Sequence, residues 1–134
     1  MRVVKDEVLS LSNDGDIVVA RQRTRAWAAE QGLSLVDQTK LVTAASELAR
    51  NTVTYGGGGE VRLSTFENNG HRGVQLEFQD RGPGITDVNL TLQDGYTSGA
   101  GMGLGLGGSR RLVQLFEIES TPGQGTKVTI ARWR

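Results

Sequence analysis

The sequence predicts an α+β fold: one domain over residues 1–134, a two-layer arrangement of one mixed sheet covered on one face by helices. Three observations carry the prediction. Paired strand patterns are interleaved with grouped helical patterns. Asn68-Asn69-Gly70 between two alternating segments is a hairpin signal. The 134 residues suffice for one core between two layers, with no internal repeat or linker dividing them.

Residues 3–11 read as a first strand, with imperfect alternation. Asn13 and Asp14 offer caps to a helix over residues 16–31, with Ile17, Ala20, Thr24, Trp27 and Ala28 on one face and Gly32 as the stop. Ser34 caps a second helix predicted to run to Tyr55, its stripe being Val42, Ala45, Leu48, Ala49 and Thr52; four glycines (Gly56, Gly57, Gly58 and Gly59) end it. Two alternating strands follow, over residues 61–66 and 74–79. Residues 81–84 form a loop, and a short helix is expected from Thr86 or Asp87 to Gln93. A glycine-rich stretch then leads into a helix reaching Phe116, and strands over residues 117–120 and 126–133 flank a turn at residues 122–125.

Composition excludes several function classes. Fifteen basic residues balance fifteen acidic ones and are mixed along the chain, which argues against a nucleic-acid binder. No apolar run approaches the roughly 20 residues of a membrane helix. The amino terminus carries Asp6 and Glu7 where a signal peptide needs an apolar stretch, so a cytoplasmic location is expected. Without cysteine there is no disulfide, thiolate metal site or thiol nucleophile.

Glycine stands out. Seven of the nineteen lie between Gly95 and Gly108, where the backbone either loops freely or approaches a ligand closely. The stretch from Gly99 to Gly108 runs into a helix, and helix-start N–H groups attract anions. It is not a P-loop, because Ser109 and Arg110 follow Gly108 where Lys-Ser/Thr is required. Nor does it follow the first strand of a βαβ unit, as a dinucleotide fold requires. A lysine-bearing third strand and a His-Arg-Asp loop, the marks of the eukaryotic-type protein kinases, are missing too.

Two further places can carry chemistry. Glu47 and Asn51 are one helical turn apart on the same face, able to share a metal ion or an attacking group, although such a pair is more often a solvated helix face. Asp80 continues the parity of Val74, Leu76 and Phe78, so its carboxylate points to the covered side of the sheet just where the chain breaks at Gly82 and Gly84. Either backbone N–H groups of the loop satisfy it, or it accepts a hydrogen bond from a ligand amine such as that of adenine.

In order, these pieces resemble the GHKL (Bergerat) ATPases. Glu47-Leu48-Ala49-Arg50-Asn51 is similar to their N box, Asp80-Arg81-Gly82-Pro83-Gly84 to the G1 box and Gly101-Met102-Gly103-Leu104-Gly105-Leu106 to the G2 box. Gly123-Gln124-Gly125-Thr126 is similar to the Gly-x-Gly-Thr element that follows. Ser46 to Asn51, Asp94 to Gly99 and the ending Ala131-Arg132-Trp133-Arg134 resemble the switch kinases of bacterial stressosomes within that family.

The resemblance implies a GHKL-type α/β sandwich and a protein serine/threonine kinase using ATP and Mg²⁺. It assigns Glu47 to orienting or deprotonating the acceptor hydroxyl, and Asn51 to Mg²⁺ held through the phosphates. Asp80 would read the adenine amino group, with Gly82 and Gly84 letting the base lie close and Thr126 beside them. Gly101, Gly103, Leu104 and Gly105 would lie along the phosphates on a lid whose glycine content predicts mobility. The implied partners are a STAS-domain antagonist as substrate and a phosphatase that the released kinase activates. Two alternatives share the site: an anti-sigma factor kinase holding a sigma factor, and a module in which nucleotide only sets conformation. One departure stands out: residues 94–109 hold no lysine or arginine for the γ-phosphate, leaving Arg50, Arg110 and Arg111 as substitutes.

The other residues have plainer expectations. His71 should be solvent-exposed, Trp27 should pack in the core, and Trp133 should serve packing or a partner contact. Arg21, Arg23 and Arg25 alternate around the first helix and are expected to form no single patch.

Overall fold

The computed structural model describes residues 2–83 and 106–134. The expected short helix before Gln93 and the glycine-rich lid therefore lie outside the described residues. Strand β1 (Arg2–Leu11) leads to α1 (Asp14–Glu30) and α2 (Leu35–Arg50), and a π-helical turn (Asn51–Tyr55) extends α2. Then come β2 (Gly59–Asn68), β3 (His71–Asp80), α3 (Leu106–Arg111), β4 (Leu115–Thr121) and β5 (Gly125–Trp133).

The caps anticipated from sequence are present. The Asn13 side chain accepts from the Asp16 N–H at 2.9 Å, and the Ser34 hydroxyl accepts from that of Asp37 at 3.1 Å. Ile17, Ala20, Thr24, Trp27 and Ala28 are all buried on α1, and Gly32 takes φ 82° where that helix stops. Asn69 and Gly70, with φ 52° and 83°, make the tight β2–β3 turn that fits the right-handed twist of its strands.

The strand order is β1-β2-β3-β5-β4, and every pairing is antiparallel, which corrects the mixed sheet expected from the sequence. The reason lies in the connections. α1 and α2 cross the sheet as a pair, so the chain returns to the end it left, and Gly59 pairs with Leu11. The segment between β3 and β5 does the same, bringing Lys127 beside Gln79.

Two element ends also differ from expectation. α2 gives way at Asn51 to a wider turn, in which the Gly56 N–H reaches back five residues to the Asn51 carbonyl at 2.8 Å. α3 stops at Arg111 and β4 begins at Leu115. There Gln114 grips the end of β5, donating to the Trp133 carbonyl and accepting from its N–H.

Alternate residues of the sheet (Val61, Leu63, Val74, Leu76, Phe78 and Ile130) are buried under α1 and α2. Arg132 also points to this side. It donates to the Leu112 carbonyl at 2.9 Å, just after α3, and to Asp37 at 2.7 Å in the first turn of α2. On the opposite face Phe66 and Trp133 meet edge to face with ring centroids 6.1 Å apart. Gly73 lies between them in register, and a side chain there would strike Trp133. Trp27 is in the core as expected, with the Lys5 ammonium 4.1 Å from its ring centroid. His71 is exposed, its Nδ1 3.0 Å from the Arg134 carbonyl oxygen. Among the described residues no helix is long and apolar enough to cross a membrane.

Candidate nucleotide site

One pocket gathers residues from four parts of the fold. Leu48 comes from α2, Asn51, Thr52 and Tyr55 from the π turn, Phe78 and Asp80 from β3, and Leu106 from α3. Thr126 and Val128 of β5 complete it. It lies where β3 ends and β5 begins, under the carboxy-terminal end of α2. Its floor is apolar and its polar groups are few, the usual composition of a site for a planar aromatic ligand. The free space is about 20 Å³, roughly one water's worth.

Asp80 is the fixed point of this pocket. Its Oδ1 accepts from the Gly82 N–H at 2.9 Å and from the Thr126 N–H at 3.2 Å. Of the two readings left open by the sequence, this is the backbone one. Backbone donors satisfy one carboxylate oxygen, while Oδ2 receives no hydrogen bond among the described residues. Thr126 is held in turn, its hydroxyl 2.9 Å from that of Ser120.

Glycines surround the carboxylate. A Cβ on Gly56 would fall within 2.6 Å of both the Cβ and Oδ2 of Asp80, one on Gly82 would overlap Gly56, and one on Gly125 would strike the Asp80 and Arg81 backbone.

Asn51 lines the same pocket, and Glu47 sits one turn earlier on α2, half-buried and outside the lining. The structure thus brings Asn51, Asp80 and Thr126 together, with Gly82 joined through its N–H. Gly84, Gly101, Gly103, Leu104 and Gly105 lie outside the described residues. Arg50 and Arg110 are exposed, and Arg111 is exposed with a bonded partner.

Among the described residues no group of three or more His, Asp or Glu side chains could cage a metal. A divalent ion here would depend on Asn51 and on oxygens brought by the ligand. An adenine nucleotide with its metal matches this donor set: an acceptor at an apolar base pocket and an amide on its wall.

Sequence reasoning missed Gly56, Gly125 and the apolar lining from Tyr55, Leu106 and Val128. The four-glycine run was the available signal, but it reads equally as a helix stop. The three arginines of α1 form no single patch, as expected. Arg21 and Arg25, one turn apart, share a groove of about 500 Å³ with Val18, Gln22, Ala26 and Val42, while Arg23 turns away to pair with Glu7.

Comparison with known proteins agrees with this geometry. The profile of the histidine kinase-, DNA gyrase B-, and HSP90-like ATPases matches residues 36–134. The chain belongs to that ATPase family. It is 38% identical over 123 residues to the serine/threonine-protein kinase RsbT of Bacillus subtilis (strain 168), covering 92% of each chain. It is 28% identical to the anti-sigma F factor of Thermoanaerobacter sp. (strain X514), over 95% of this chain and 92% of that one. The anti-sigma F factor of Pasteuria penetrans is 34% identical over 81% of this chain and 77% of its own.

Proposed function

We propose that this protein is an ATP- and Mg²⁺-dependent serine/threonine kinase in a partner-switching pathway. Its substrate is a serine on a STAS-domain antagonist, and the released kinase binds and activates a partner phosphatase. The observation that carries this reading is the meeting of Asp80 and Asn51 in one pocket, with Glu47 one turn up the same helix. A site for binding alone has little use for that third group. The likeness to RsbT supports the choice of reaction.

Mg²⁺-ATP supplies the phosphoryl group and the metal neutralises its charge. The chain's own residues position and accept. Asp80 would accept from the base amine, and Asn51 would hold the metal. Glu47 orients the acceptor hydroxyl and takes its proton. Such positioning and charge neutralisation supply most of the rate in phosphoryl transfer. Gly84, Gly101, Gly103, Leu104 and Gly105 are proposed to contact the base and phosphates, as the family motifs imply. A cytoplasmic location, where ATP is available, fits this reading.

The anti-sigma F factor relatives favour a second reading, in which the same site serves a protein that holds a sigma factor and phosphorylates an anti-anti-sigma protein. One experiment addresses both. The intact mass of a STAS-domain protein encoded beside this chain is measured after incubation with the kinase, Mg²⁺ and ATP, with Glu47→Gln in parallel. Gain of one phosphate with the wild type and none with a Glu47→Gln variant that still binds ATP supports the kinase. Absence of transfer by the wild type, with ATP bound, refutes it for that acceptor. Sigma factor co-purifying with the chain would select the second reading.

A further inference from the structure

Gly56 does not need to be glycine for its backbone. Its φ of −81° and ψ of −9° suit any L-residue, unlike Gly57 and Gly58, whose φ values are 74° and 109°. What it lacks is space. A Cβ at this position would overlap the Asp80 carboxylate carbon and lie 2.6 Å from Oδ2.

One oxygen of the carboxylate is pinned. Its Oδ1 is held by the Gly82 and Thr126 N–H groups, and a Cβ added to Gly82 would lie 2.7 Å from the Gly56 Cα. On the far side, Gly125 is so close that a Cβ there would come within 2.9 Å of the Arg81 Cα. The contact is therefore made with a short, pinned side chain rather than with the tip of a flexible one.

The π turn creates this meeting. The Gly56 N–H bonds to Asn51 five residues back, so the wider loop sets Asn51 on the pocket wall and Gly56 against the base-reading carboxylate.

We propose that Gly56 is a positioning residue for base specificity: its bare Cα lets the Asp80 carboxylate stand at the pocket wall and so sets the preference for a 6-amino purine. The inference rests on the reading of Asp80 as the acceptor for that amine, and on no feature of the protein partner.

The test compares ATP with purine riboside 5′-triphosphate, which lacks the 6-amino group, by titration calorimetry of wild type and Gly56→Ala. The wild type should prefer ATP by about ten- to a hundredfold, the range of one hydrogen bond to a charged acceptor. In Gly56→Ala that ratio should fall to within about threefold of unity, since the displaced carboxylate no longer meets the amine. Equal weakening of both nucleotides, with the ratio kept, would show a merely structural role and overturn the proposal. A wild type with no preference would remove the Asp80 reading and this inference with it.

Thermal melting covers the case in which Gly56→Ala folds poorly. In an Asp80→Gly background, Gly56→Ala should melt with the background, because the opposing side chain is gone. The same loss in both backgrounds would place the strain elsewhere and overturn the proposal.

Discussion

Replacing Asp80 by Asn keeps the shape of the side chain and changes what it offers. Oδ1 can still accept from the Gly82 and Thr126 N–H groups, now as a neutral amide oxygen. The second position, Oδ2 in the wild type, becomes an NH₂ group that faces a base amine donor to donor. The lost hydrogen bond to a charged group is worth about 1.5–3 kcal/mol, so the Kd for ATP should rise by about 10- to 150-fold. Thermal shift reads the same difference. ATP at a hundred times the wild-type Kd stabilises the wild type by about 2.7 kcal/mol, whereas a variant bound a hundredfold more weakly gains only about 0.4 kcal/mol. Without nucleotide, Asp80→Asn should lose about 1 kcal/mol, roughly 4 °C for a chain of this size, from the weakened acceptor at the strand junction. Binding of ATP by Asp80→Asn within threefold of the wild type, measured by calorimetry, would refute the assignment of the carboxylate to the base.

Two further outcomes follow from the fold. The hydrogen bond and charge of Arg132 hold the Asp37 carboxyl below its ordinary pKa of 3.8, so this group stabilises the fold above that pH and the contribution is lost as pH falls through the lower folded value. Asp37→Asn should therefore cost about 1 kcal/mol in urea unfolding at pH 7, and the gap from wild type should narrow below about pH 3.8; a gap unchanged by acid would remove the ion pair as its cause. Phe66→Ala should cost about 3 kcal/mol by the same method, as for a buried aromatic, while ATP affinity stays unchanged.

The sequence made the local elements legible where local chemistry decides them. Asn13 and Ser34 announce their helices, Asn69-Gly70 the hairpin, and the parity of Val74, Leu76 and Phe78 aims Asp80 correctly. What it concealed depends on distant partners. Antiparallel closure of the whole sheet is decided by where each connection returns, which alternation within a strand does not encode. The change from α to π hydrogen bonding at Asn51 leaves the hydrophobic stripe intact, with Thr52 buried as the helical pattern requires. It shows only when Gly56 is seen against Asp80, twenty-four positions away in the chain. The early end of α3 has the same origin, since Gln114 bonds to β5. For the arginines of α1, spacing was informative: Arg23 stands apart as expected, and Arg21 and Arg25, four positions apart, share a face.

The antiparallel register has a practical side. Asp80 and Thr126 stand at one end of the central strands, while Asn69, the Phe66–Trp133 corner, Arg2 and Arg134 gather at the other. The eight residues of β3 from Gly73 to Asp80 span roughly 25 Å. A fluorophore on Asn69 would sit at the end opposite the proposed nucleotide pocket. A change it registered on adding ATP would report how far the effect of the pocket reaches through the fold.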